Sequence, residues 1–244
     1  PETNSNRKVV QGKQKMTPSE AFVETLVAQG VDTMFGIMGS AFMDAMDIFA
    51  PAGIELIPVV HEQGAGHMAD GFARASRKAG FILAGQNGPG ATNLVTGLSQ
   101  AKAAFSPVVS IAGMLAQGHI YRDAFQEVDQ QALFTPVTKK TWTAPSADRV
   151  PELFREAFRT ALSPRQGPVH LNLPRDVLSA QAEFEPMQDP KGYRNMSVPA
   201  GRPDSIAQAA KMLIQKNLLT LHLNQLSNMN LALLRSSLEN SQTL

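Results

Sequence analysis

The sequence predicts an α/β fold: a doubly wound, mainly parallel sheet with helices on both faces. Two patterns carry that expectation. Apolar runs at 33–37, 54–60, 81–85, 108–113 and 169–173 are mostly continuous rather than alternating, as strands buried on both faces must be. Segments with helical periodicity stand between them, and a β-α-β-α order imposes right-handed crossovers.

The elements follow in chain order. Residues 1–15 are polar without a hydrophobic period and are expected to be a disordered extension, with Met16 placed to be an initiator. Thr17, Pro18 and Glu20 form a helix-start signature: a capping hydroxyl, a proline at the first helical position and a glutamate that reaches back. Phe22, Val23, Leu26 and Val27 are its apolar stripe, and Gly30 ends it. Helical segments are expected near 41–49, 65–78 and 91–105. A further helix over about 148–162 shows the cleanest stripe (Val150, Leu153, Phe154, Ala157, Phe158, Ala161), with Ser146 as its expected cap. The domain is expected to cover 16–182. Pro186, Pro190 and Pro199 mark 183–203 as a linker. A helix then starts near Asp204 with Ile206, Ala209, Ala210 and Leu213. The stretch 218–244 is rich in Leu, Asn and Ser and reads either as an amphipathic helix or as a foreign tail.

Composition narrows the function. The 244 residues hold 22 basic and 21 acidic side chains, a formal net charge of +1 that gives no field for gathering phosphates. No nucleic-acid partner is therefore expected. Cysteine is absent, which removes disulfides, thiolate nucleophiles and cysteine-ligated metals and suits a reducing compartment. The longest apolar stretches fall far short of the ~20 residues of a membrane span, and the N-terminus has no apolar signal segment. A cytoplasmic protein with no membrane partner is expected.

Ligands of open parallel sheets bind at the carboxyl ends of the strands, and the unusual residues fall there. Gly36, Met38, Gly39 and Ser40 follow the first run; His61, Glu62 and Gly64 follow the second; Gln86 to Asn93, with Gly88, Pro89 and Gly90, follow the third. Glycines at such turns allow close backbone approach to a ligand. His61 and His67 are not a zinc pair, because six residues advance a helix by about 600° and part the rings. No metal site is expected in this chain. Gly88-Pro89-Gly90 lacks the third glycine and the downstream acid of a dinucleotide loop, and no P-loop lysine is present. Glu62 is the outstanding residue. A carboxylate there suits either a helix N-terminus, where it complements the dipole, or a ligand crevice.

The run 58–74, with His61, Glu62, Gln63, Gly64, Gly66, Asp70 and Arg74, resembles the pyrimidine-binding domain of thiamine-diphosphate enzymes, in the acetolactate synthase and pyruvate oxidase branch. Gly88 to Gly97, Asp123 to Glu127 and Asn172 to Val177 are similar to that branch in the same order. The resemblance covers about 16–177. The loop Phe35 to Asp47 departs from the acetolactate synthase pattern. With Gln86-Asn87, it is similar to members that pass the acetyl unit of sulfoacetaldehyde to phosphate and release sulfite. Ala91 to Leu94 and Tyr121 to Phe125 read more like acetolactate synthase, a carboligase of pyruvate.

The resemblance implies thiamine diphosphate as cofactor and a small 2-oxo acid or aldehyde as substrate. It implies Glu62 as the catalytic carboxylate, hydrogen-bonded to the pyrimidine ring nitrogen. Pro89, Asn93 and Gln126 are implied beside the cofactor, and Met38, Gly39, Ser40 and Phe125 on the substrate side. His61 and His67 are expected to orient the turn or pack; Met43, Met46 and Met68 are expected in the core. Such enzymes hold the cofactor between subunits, so a homo-oligomer, dimer or tetramer in the complete enzyme, is implied. Magnesium and the diphosphate are bound there by a later domain with a Gly-Asp-Gly motif. This sequence has none, and Asp70-Gly71 falls inside a predicted helix. The expectation is an inactive fragment, with 204–217 the stub of a middle domain and 218–244 a non-family tail. A non-catalytic subunit of a split thiamine enzyme is the alternative.

Overall fold

A computed structural model describes residues 14–184, 189–193 and 200–215. The chain divides into two compact units, 1–194 and 195–244. The expectations for 1–13, for most of the linker and for 216–244 lie outside the described residues.

The first unit opens with β1 (Gln14–Met16) and α1 (Pro18–Ala28), followed by β2 (Thr33–Gly36) and α2 (Met43–Phe49). Next come β3 (Glu55–Pro58), α3 (Glu62–Ser76), β4 (Gly80–Leu83), α4 (Pro89–Thr92) and α5 (Val95–Ala103). Then follow β5 (Val108–Met114), α6 (Gln130–Phe134), β6 (Thr141–Thr143), α7 (Val150–Leu162), β7 (Val169–Pro174), α8 (Arg175–Ser179) and β8 (Ala182–Phe184). Among the described residues, six strands form one sheet in the order β3-β2-β4-β5-β7-β6, and every pair in it is parallel. The expected fold class is therefore what forms. From β2 the chain crosses to β3 on one side and returns to β4 on the other, so the topological switch point lies between β2 and β4.

Continuous apolar strands serve two cores at once. Phe81, Leu83, Val109, Ile111 and Leu171 meet Phe22, Leu26, Phe154 and Phe158 on one face. Their neighbours Ile82, Ala84, Val108 and Ala112 meet Ala65, Ala69, Leu98 and Phe134 on the other. On the first face Phe22 stacks on Phe154 with ring centroids 5.2 Å apart. On the second, α3 and α5 cross at glycines: a Cβ on Gly66 would lie 2.8 Å from the Cα of Gly97. That contact seats α3, whose first residue is Glu62, directly on its neighbour.

Several expectations shift. β3 is half-exposed rather than buried, because it is an edge strand. The expected 91–105 helix splits into α4 and α5. The Leu94 N–H bonds the carbonyl of Ala91, three residues back, and the Asn93 side chain leaves for another partner. α3 begins at Glu62, not at 65, because the His61 ring accepts the Gln63 N–H as a cap. Ser146 makes no capping bond; a 3₁₀ turn, Ala147–Arg149, precedes α7 instead. Gln14 and Lys15, expected outside the domain, pair with Phe184 and Glu183 in an antiparallel ladder between β1 and β8. The domain edge therefore reaches past both expected limits. Met43 and Met68 are exposed rather than core. In the second unit, α9 (Pro203–Gln215) forms where a helix was expected.

Candidate functional site

Three strand ends bring the glycine turns together at the switch point. The turn after β2 and the turn after β4 touch through their backbones: a Cβ on Gly39 would lie 1.3 Å from the Gly85 carbonyl oxygen. Only glycine fits at position 39. Beside this contact lies a cavity of about 350 Å³, of a size that takes a small heterocycle. The first turn lines it with Ile37, Met38, Gly39 and Ser40, and the third with Gly85, Gln86, Pro89, Gly90 and Asn93. Glu62 and Gln126 complete it.

Glu62 opens α3 and is 6% exposed. Its position fits the helix dipole, yet its carboxylate does not face bulk water. Oε2 accepts the Asn93 side-chain amide at 3.0 Å. Oε1 sits against two glycines: a Cβ would lie 3.2 Å away on Gly90 and 3.4 Å away on Gly85. The bare glycine faces leave the room this oxygen occupies.

Gln126 comes from a loop built on left-handed residues. Tyr121, Asp123 and Gln126 all have positive φ, 63°, 51° and 63°. Glu127 closes the loop by accepting the amides of Tyr121 at 2.6 Å and Ala124 at 2.9 Å. Those backbone donors hold its carboxyl below the ordinary range. The Gln126 side-chain oxygen is buried and has no donor, an unusual state for a polar atom. Its carbonyl accepts the Asn87 amide at 3.2 Å.

The expected residues Glu62, Pro89, Asn93, Gln126, Met38, Gly39 and Ser40 thus meet on one cavity. Phe125 does not join them. The left-handed turn at Gln126 sends that side chain inward, and Phe125 stays 85% exposed. Ile37, Gln86 and Gly90, which the sequence placed in the crevice turns without a role of their own, line the cavity too, as does Gly85 at the end of the third apolar run. Gln86 accepts the Ser40 hydroxyl at 3.1 Å, and its place beside the Gly-Pro-Gly turn was the available signal. His61 caps α3, and His67 lies 3.4 Å from the Gln63 amide. Among the described residues no group of three or more His, Cys, Asp or Glu is arranged for a metal, and no helix is long and apolar enough to cross a membrane.

Glu62 is the one ionisable side chain among the lining residues. A cavity with one sheltered carboxylate, neutral amides and no cation repels phosphate and suits a neutral ring with hydrogen-bonding edges. In that setting a carboxylate can share or pass a proton with a ring nitrogen.

Comparison with known proteins bears on this geometry. Residues 16–133 match the family described as "Thiamine pyrophosphate enzyme, N-terminal TPP binding domain". The sulfoacetaldehyde acetyltransferase of Alcaligenes xylosoxydans xylosoxydans is 53% identical over 191 residues, 77% of this chain and 31% of that protein. That of Castellaniella defragrans is 48% identical over 213 residues, 87% of this chain and 34% of that protein. A probable acetolactate synthase large subunit of Methanocaldococcus jannaschii is 40% identical over 205 residues, 82% of this chain and 34% of that protein. The chain spans about a third of the length of these relatives.

Proposed function

The chain belongs to the thiamine pyrophosphate enzymes, of which it carries the N-terminal TPP binding domain, and from that premise we propose that its cavity takes the aminopyrimidine ring of thiamine diphosphate against Glu62. One observation carries the reading: a sheltered carboxylate and a buried, donor-less amide oxygen line the same cavity, which has no cation among its lining residues. Both are what a ring with a nitrogen and an amino group would satisfy. The glycine contact at Gly39 and Gly85 supplies a floor that no side chain obstructs.

Thiamine diphosphate, when bound, supplies the electron sink that carbonyl cleavage and acyl transfer need. The residues of this chain do the rest. Glu62, fixed by Asn93, holds a proton at the ring nitrogen. Pro89 and Asn93 flank the ring, and Gln126 offers its free oxygen to a donor beside the reacting carbon. Met38, Gly39 and Ser40, with Gln86 behind Ser40, form the substrate side. As the resemblance implies, magnesium and the diphosphate would be held by a further domain with a Gly-Asp-Gly motif, which this sequence does not contain.

For the complete enzyme we read acetyl transfer, with sulfoacetaldehyde and phosphate giving acetyl phosphate and sulfite. The relatives named for that activity are 53% and 48% identical, against 40% for the acetolactate synthase. Carboligation of pyruvate is the second reading, favoured by Ala91 to Leu94. A homo-oligomer in the cytoplasm completes the proposal. Tyr121 and Phe125, 94% and 85% exposed on the loop that carries Gln126, offer a second copy an apolar surface.

The test is phosphate-dependent sulfite release by a complete enzyme that carries this domain. Glu62→Gln should lower turnover by about 10²–10⁴-fold, the usual worth of a positioned proton-transfer group. Turnover within about twofold of the parent, at that sensitivity, would remove Glu62 from this role.

A further inference from the structure

Behind the cavity lies a chain of buried polar side chains that the chemistry above does not use. Ser110 on β5, His170 and Asn172 on β7, and Gln130 at the start of α6 are all within 1% of complete burial. The Ser110 hydroxyl lies 2.7 Å from His170 Nδ1, and His170 Nε2 lies 2.9 Å from Asn172 Oδ1. Gln130 Nε2 donates to the same Asn172 oxygen at 2.7 Å and to the Gly113 carbonyl at 3.1 Å. Asn172 Nδ2 donates to Thr143 Oγ1 at 3.3 Å, which fixes the amide's orientation.

The protons can be placed by accounting for each lone pair. Asn172 Oδ1 only accepts, so His170 carries its hydrogen on Nε2 and accepts at Nδ1 from Ser110, whose single hydroxyl hydrogen has this nitrogen at 2.7 Å and the Val169 carbonyl oxygen farther off at 3.1 Å. The ring is neutral: burial pushes its pKa down to about 3. It stacks on Phe134 with centroids 3.6 Å apart. Both hydrogens of the Gln130 amide are then committed to the core, and its oxygen is the one group left.

That oxygen accepts the Gly88 N–H at 3.3 Å. Gly88 is the joint between two walls of the cavity, the turn that runs to Asn93 and the loop that carries Gln126. It precedes Pro89 in the turn that carries Asn93, and its φ of +59° places its Cα against Gln126. A Cβ there would lie 2.5 Å from the Gln126 carbonyl oxygen. The neighbouring Asn87 amide holds the same carbonyl.

We propose that Gln130 is a positioning residue: anchored at one end in the sheet interior, it sets the spacing between the Gly88 to Asn93 turn and the Gln126 loop. Buried hydrogen-bonded groups add little net stability over apolar groups of the same shape, so what this chain of four contributes is placement. Losing Gln130 leaves the Gly88 amide buried without an acceptor and frees the Gln126 wall to shift. The inference rests on the reading of the cavity as the pyrimidine site.

The experiment uses this chain, the probe 4-amino-5-hydroxymethyl-2-methylpyrimidine, and two variants at opposite ends of the network, Gln130→Leu and Ser110→Ala. Exchange of the Gly88 amide and probe affinity are followed by NMR. Gln130→Leu should speed Gly88 exchange and weaken the probe each by about tenfold. Ser110→Ala should leave both within about twofold, whatever it does to the melting temperature. Equal effects of the two variants, or no effect of Gln130→Leu, overturn the proposal. Should Gln130→Leu fail to fold, the parent chain decides: a Gly88 amide that exchanges as fast as that of exposed Phe125 overturns it. A parent chain that ignores the probe while Gly88 exchange still answers to Gln130→Leu refutes the pyrimidine reading and leaves the positioning role supported.

Discussion

Lowering the pH from 7 to 5 should destabilise the first unit by about 2 kcal/mol through His170 alone. The ring is wholly buried and its pKa is lowered to about 3, with desolvation the main cause. In the unfolded chain the same ring titrates near 6.5. Between those values the unfolded state binds a proton that the folded state refuses, so stability rises with pH across that window and is complete above about 6.5. At pH 5 the difference is about 1.5 proton-binding decades, and at pH 7 about 0.1; at 1.36 kcal/mol per decade the change is about 2 kcal/mol. Urea unfolding of the parent and of His170→Gln at both pH values measures it. The variant is less stable throughout, but its pH dependence should be flatter by that amount. Equal losses in the two proteins between pH 7 and 5 would refute the reasoning, because the ring would then be charging in place.

Two further outcomes follow from packing and charge. Gly66→Ala should destabilise by about 1–3 kcal/mol, because its Cβ would lie 2.8 Å from the Gly97 Cα. Gly97→Ala meets the same contact, so the double variant should lose less than the sum in denaturant unfolding; strict additivity would show that the helices separate freely. Asp70, nearly fully buried, is pulled upward by burial and downward more strongly by bonds from Arg74, Ser106 and Gln100, so its carboxyl stays below the ordinary value. A lowered carboxyl contributes stability above its unfolded pKa and loses it as the pH falls below. Asp70→Asn should therefore cost about 1–3 kcal/mol at pH 7 and unfold less steeply in acid below pH 4; an unchanged acid midpoint would count against that account.

The parallel sheet was legible because its central strands are apolar without interruption, a pattern that only burial on both faces explains. The cap at Thr17 was legible because a threonine, proline and glutamate at that spacing admit one geometry. His61 as a cap was not, since histidine rarely plays that part and its ring had to be seen accepting the Gln63 N–H. β6 is three residues long and half-buried, too short for any period to register. The cavity's glycine turns stood out in the sequence, and Glu62 with them. The inward turn of Gln126 did not, because it depends on left-handed residues held by Glu127. The Gln130 to Ser110 chain was equally hidden: four polar residues spread over sixty positions carry no spacing signal, and only the sheet register brings them together.

The backbone contact between Gly39 and Gly85 divides the crevice into a part that evolution can edit and a part that it cannot. Gly39 cannot take even a methyl group, because that group would run into the Gly85 backbone, whereas Ser40 and Gln86, the very next residues in the chain, touch each other through their side chains. Selection on one fixed platform can thus redesign the neighbours without disturbing the frame, and descendants with different appetites can share an unchanged floor.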